Sequence, residues 1–135
     1  MLEAYSTNVS VATNSAIPFN NISIQKGKTT ELTSVGTVQL NKCGVYMVKV
    51  DAAGIPTSAG VMSIQLSKDG SLQPQAQSAV TGTTSNVDNL SFTTLVQVKE
   101  DNTCNCCTSP TVIRIVNTGV PATYNIANIV VTKIC

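Results

Sequence analysis

Gly36-Thr37-Val38-Gln39-Leu40-Asn41-Lys42-Cys43-Gly44-Val45-Tyr46-Met47-Val48-Lys49-Val50-Asp51 is the stretch whose reading decides the fold. Val38 and Leu40 alternate with Thr37, Gln39 and Asn41. Beyond the break at Lys42-Cys43-Gly44, Tyr46, Val48 and Val50 alternate with Met47, Lys49 and Asp51. Period-two alternation rich in β-branched residues marks strands with one buried face. Gly44 supplies the backbone freedom for a tight reversal. The expectation is an antiparallel pair, scaffold rather than catalytic machinery.

The same pattern recurs on both sides. Val9 and Val11 suggest a short first strand, and Ile22 and Ile24 a second. Pro18 places its segment at an edge or corner, because it cannot donate a ladder hydrogen bond. Residues 52–60, small and rich in Gly and Pro, read as a loop. Met62, Ile64 and Leu66 share one face of the next strand, which ends at the Asp69-Gly70 hairpin signal. A weaker strand interrupted by Pro74 follows, then a loop at 81–89. Leu90, Phe92, Val96 and Val98 share a face, and Ile113 and Ile115 oppose Arg114. The final strand starts near Tyr124 and bends near Ala127-Asn128. No segment holds helical spacing over three turns. Seven to ten strands separated by turn residues imply one all-β domain, a sandwich or barrel. Phe19, Tyr46, Phe92 and Tyr124 belong to its core, and Tyr5 to the surface or an interface.

The chain has 135 residues, enough for one domain with a real core, and 42 % of them are hydrophobic. Charged residues make up 11 %, against roughly 25 % in an average soluble domain. The polar surface therefore comes from Thr, Ser, Asn and Gln, which suits surfaces that pack against copies of themselves. The net charge is +1 with no basic run, so no nucleic-acid partner is expected. No stretch approaches the roughly 18 apolar residues of a membrane helix. The start of the chain has neither the basic nor the apolar region of a secretory signal, so synthesis in a cytoplasm is expected. Histidine is absent, which removes the commonest general base and metal ligand. No enzyme activity and no cofactor are expected.

Five cysteines are the unusual group: Cys43, Cys104, Cys106, Cys107 and Cys135. Three readings stay open. Thiolates can hold Zn²⁺, but the spacing lacks the paired two-residue intervals of a zinc knuckle, and no metal is assigned. Cys104 or Cys107 can pair with Cys135 or Cys43 under oxidising conditions, with one thiol left over. They can also stay reduced as small, partly buried hydrophobes. Glu100-Asp101 is a conceivable Ca²⁺ site, although loop acids are usually solvated.

The order of Ala16-Ile17-Pro18-Phe19-Asn20, then Val38 to Tyr46 with its Gly44-Val45-Tyr46 element, then Ile64 to Gly70, Leu90-Ser91-Phe92 and a terminal strand resembles the jelly roll of the tumour-necrosis-factor and complement-C1q superfamily. It resembles in particular the bacterial and phage branch, with its head-fibre and capsid-decoration proteins and the heads of collagen-like spore-surface proteins. The resemblance covers nearly the whole chain. It implies a single-domain antiparallel jelly-roll sandwich over 16–135, preceded by an arm or first strand at 1–15, and a homotrimer. Closed symmetry hides sheet edges without fibre growth. With no collagen-like stalk ahead of the domain, the expected role is a capsid decoration or head-fibre protein on the virion surface. Its partner would be the major capsid protein, and Met1, Leu2, Glu3, Ala4 and Tyr5 the docking residues. The alternative is a receptor- or glycan-binding head of a fibre or spore coat, contacting its ligand through 52–60 and 81–89.

Overall fold

The computed structural model describes residues 1–34, 36–99 and 110–135. Eleven strands are present: β1 (Leu2–Val11), β2 (Ser15–Ala16), β3 (Asn21–Gln25), β4 (Thr30–Ser34), β5 (Thr37–Leu40), β6 (Gly44–Pro56), β7 (Gly60–Lys68), β8 (Ser71–Gly82), β9 (Asp88–Val98), β10 (Thr111–Asn117) and β11 (Ala122–Lys133). There is no helix among the described residues. The strands form two antiparallel sheets, β3-β1-β11-β6-β9 and β4-β5-β10-β7-β8, with β2 attached to β10.

The alternation read from 36–51 is correct in its faces and wrong in its pairing. Val38, Leu40, Tyr46, Val48 and Val50 are all buried. However, β5 pairs with β4 and β10, whereas β6 pairs with β11 and β9. The two segments are not a hairpin. The chain crosses from one sheet to the other at 41–43, so the inward faces oppose each other across the core. Asn41 holds the end of β5, its backbone N–H donating to Thr29 O at 2.9 Å and its Nδ2 to Lys28 O at 2.7 Å. The buried Tyr46 holds the start of β6. Its hydroxyl donates to Lys42 O at 2.6 Å and accepts from Lys42 N at 3.2 Å.

Between the sheets, Met62, Ile64, Leu66, Ile113 and Ile115 face Leu2, Ala4, Leu90, Ile129 and Val131, all buried. Each large aliphatic side chain buried this way contributes about 1.5–3 kcal/mol. The β7–β8 hairpin turns through Asp69 and Gly70, both at positive φ (50° and 85°), as a type I′ turn requires. β8 is an edge strand, which accommodates Pro74.

Three expectations change. Residues 52–56 are not loop but the end of β6, with Ala52, Gly54 and Pro56 facing inward. Small residues are needed there because β11 comes close. A Cβ on Gly54 would sit 2.6 Å from Thr123 O. The irregularity of the last strand lies between Tyr124 and Ile126 rather than at 127–128. The first strand, expected to be short and near Val9 and Val11, starts at Leu2 and runs ten residues as β1 between β3 and β11.

Tyr124 is fully buried and its hydroxyl has no hydrogen-bond partner among the described residues. Desolvation pushes its pKa from 10.0 up to about 12. Burying an unpaired hydroxyl costs about 1–3 kcal/mol, so Tyr124→Phe is expected to stabilise the fold by a similar amount. Above pH 10 the unfolded chain releases the phenol proton while the folded chain retains it. Stability attributable to this group therefore falls as pH climbs from 10 towards 12. Urea denaturation of parent and variant across that window checks both points, because the variant lacks this contribution to the decline.

Candidate interaction surface

The two sheets present different outer faces. In the five-stranded sheet, register lines up the outward side chains in rows. One row runs Glu3, Val130, Lys49, Thr93, and the next Tyr5, Asn128, Asp51, Ser91. A third runs Thr7, Ile126, Ala53, Asn89, and a fourth Thr132, Met47, Leu95. Ile126 is 44 % exposed and Leu95 57 %. The charged members of these rows are Glu3, Lys49 and Asp51. The last two form a 4.0 Å ion pair between half-exposed side chains, which adds little stability. A shallow depression lies at the centre, lined by Asp51, Ala53, Asn89, Ser91, Ile126 and Asn128.

The six-stranded sheet turns out hydroxyls and amides. Val116, Gln65 and Gln77 form one row, and Arg114 lies beside Ser67. Gln65 Nε2 donates to Gln73 O at 3.0 Å, so this surface already satisfies part of its own polar groups. Exposed apolar side chains occur on this sheet too, at Val61 of β7 and Leu72 of β8, but Met47, Leu95, Ile126 and Val130 occupy neighbouring rows of the five-stranded face.

Of the expected docking residues, Met1, Glu3 and Tyr5 are at least partly exposed, whereas Leu2 and Ala4 are buried in the core. Leu2 pairs with Val131 on one side and Gln25 on the other. Leu2 and Ala4 can reach a partner only if β1 leaves the sheet. The candidate loops shrink to 57–59 and 83–87, since the flanking residues are strand. Both lie at one end of the sandwich, where Gly60 pairs with Gly82.

Cys43 is half-buried in the crossover and Cys135 is exposed. Cys104, Cys106, Cys107 and the Glu100-Asp101 pair lie outside the described residues. Among the described residues, no three His, Cys, Asp or Glu side chains gather where a metal could bind.

Sequence reasoning placed Met47 on the outward parity of its strand but missed Leu95, Ile126 and Val130 as surface residues. A signal was present. Val45-Tyr46-Met47-Val48 and Ile129-Val130-Val131 are apolar at both parities, as strands covered on both faces are.

No protein-family model and no curated protein sequence matches the chain. Solved structures do. The globular domain of zebrafish complement 1qA matches with a TM-score of 0.65 at 10 % identity, over 96 % of this chain and 94 % of that one. The Eiger TNF of S. frugiperda matches with a TM-score of 0.70 at 14 % identity, over 99 % and 92 %. The vertex protein P5 of PRD1 matches with a TM-score of 0.62 at 18 % identity, over 99 % and 96 %. At these identities the likeness is one of fold, and the fold is the TNF/C1q-like jelly roll.

Proposed function

We propose that this chain is a non-enzymatic structural protein of a bacteriophage particle. It forms a homotrimer that sits on the virion surface as a capsid decoration or head-fibre protein, bound to the major capsid protein. The observation that carries this reading is the fold shared end to end with the PRD1 vertex protein, on a chain whose five-stranded sheet turns Leu95 and Ile126 outward in neighbouring strands. The β11-β6-β9 part of the five-stranded sheet's outer face packs around the three-fold axis, which removes its apolar side chains from water. Met1, Glu3 and Tyr5 lie beside that part, on and just before β1, and contact the shell. A trimer that binds only the assembled shell stabilises assembly by mass action.

Light scattering is expected to give the mass of three 14.1 kDa subunits, with and without reductant. Co-sedimentation with phage capsids is expected for the parent and weakened for Tyr5→Ala, with the trimer intact. A monomer under both conditions would remove the trimer, and unchanged capsid binding by Tyr5→Ala would remove the docking assignment.

A receptor- or glycan-binding head is the second reading. It is favoured by the clustering of loops 57–59 and 83–87 at one end of the sandwich, where Val87 is 49 % exposed. Binding to cell-surface glycans that survives Tyr5→Ala but not Val87→Asp would select it.

A further inference from the structure

Lys49 and Asp51 stand two residues apart on β6, between β11 and β9. Positions two apart on a strand share a face, and both side chains point away from the core. They are 55 % and 52 % exposed, and Lys49 Nζ lies 4.0 Å from an Asp51 carboxylate oxygen. The other outward positions of β11, β6 and β9 carry uncharged side chains. Lys49 lies in register between Val130 and Thr93, and Asp51 between Asn128 and Ser91. The next row on one side holds Met47 and Leu95, and on the other Ala53 and Ile126. Any partner that covers both Leu95 and Ile126 therefore covers this pair as well. Within one subunit the pair is weak, because 4.0 Å is too long for a hydrogen bond. Water serves both groups while the face is open. Once the face is closed, protein groups must replace that water, since a buried charge without partners is costly. The covering surface must then offer an anion to Lys49 and a cation to Asp51, in an uncharged surround. A second copy of the same face has that composition.

We propose that Lys49 and Asp51 form ion pairs between subunits, with Lys49 of one protomer meeting Asp51 of the next. The inference rests on the trimer proposed above and adds what selects its partner. A three-fold axis beside β6 gathers one cation and one anion from each chain, so the cluster is neutral by symmetry. Every ammonium there has a carboxylate from a neighbouring chain within reach, and the shared, water-poor setting strengthens each contact. Apolar side chains such as Leu95 and Ile126 favour burial against any apolar surface. The charges between them reject a surface that lacks the matching groups, so they confine this face to copies of itself.

The experiment follows two full-length variants, Lys49→Asp and Asp51→Lys, by sedimentation velocity, each alone and then as an equimolar mixture. Both are expected to fold, because an exposed pair of this kind contributes little to the subunit. Alone, each variant places charges of one sign at the axis and is expected to associate at least about 100-fold more weakly than the parent. Mixed, the two are expected to form trimers containing both chains. Neither chain holds both signs, so recovery on mixing requires contacts between chains. The doubly exchanged chain, Lys49→Asp with Asp51→Lys, carries both signs and is expected to assemble like the parent. Single variants that assemble like the parent, a mixture that stays monomeric, or a doubly exchanged chain that folds without assembling would overturn the pairing and leave the trimer standing. A monomeric parent would overturn the trimer, and the pairing with it.

Discussion

On the proposed trimer, a chain carrying Ile126→Asp is expected to fold normally and to stay monomeric at concentrations where the parent associates. Ile126 stands in the middle of a row between Thr7 and Ala53, on the outer face of the five-stranded sheet. It is 44 % exposed and is not a member of the buried core, so the substitution removes no core packing. Substitutions at such surface positions usually change stability by less than about 0.5 kcal/mol. Association is a different matter. Burying a carboxylate without a partner costs several kcal/mol, and a closed trimer repeats that cost at three equivalent sites. A penalty of about 3 kcal/mol at one contact already weakens it more than 100-fold. Sedimentation velocity across a concentration series reads the outcome, with Gln77→Asp on the opposite sheet as the control expected to remain trimeric. If Ile126→Asp stays trimeric while Gln77→Asp does not, the assembly uses the six-stranded face, and the assignment of the interface to the five-stranded face fails.

What the sequence made legible was which side chains point inward within a strand. Met62, Ile64 and Leu66, and likewise Ile113 and Ile115, are buried as their alternation indicates. Local backbone chemistry was equally readable in the Asp69-Gly70 turn, whereas Pro74, read as interrupting its strand, lies within the continuous edge strand β8. Pairing was not legible. Alternation fixes the face that a strand buries but not the sheet it joins, so 37–51 resembles a hairpin although its halves belong to opposite sheets. Composition misled wherever the inward residues are small or polar. Leu2, Ala4 and Ser6 alternate with Glu3, Tyr5 and Thr7, yet the weak hydrophobicity of Ala4 and Ser6 hides the strand. Ala52, Gly54 and Pro56 look like loop residues because close approach of β11 demands small volume there. The candidate interface was hidden for a related reason. An outward Ile126 or Val130 stands out only once the inward parity of its strand is known.

Asn117 shows the opposite case, a polar residue whose importance no local pattern reveals. It ends β10 and is fully buried. Its Nδ2 donates to Val11 O at 3.1 Å and to Val120 O at 3.1 Å, and its Oδ1 accepts from Gly119 N at 3.2 Å. Its backbone oxygen accepts from Asn14 N at 2.7 Å. One side chain therefore holds the end of β1, the turn at 118–121 and the end of β10 together. The turn itself packs tightly, since a Cβ on Gly119 would lie 2.4 Å from Val61 O. Asn117→Ala strands two carbonyls and one N–H, each worth about 1–3 kcal/mol if water cannot replace the lost partner. Val120 is half-buried, so water reaches part of this corner. The expected net loss is about 3 kcal/mol, read as a lower urea midpoint with an unchanged slope. Asn117→Asp is expected to lose more than Asn117→Ala, because it places a carboxylate against the Val11 and Val120 carbonyl oxygens with no donor left to face them. The ordering of the two variants tests the mechanism. Equal losses would mean that the site needs only the volume of the side chain, and a loss below about 1 kcal/mol for the alanine variant would mean that water takes over the amide's bonds.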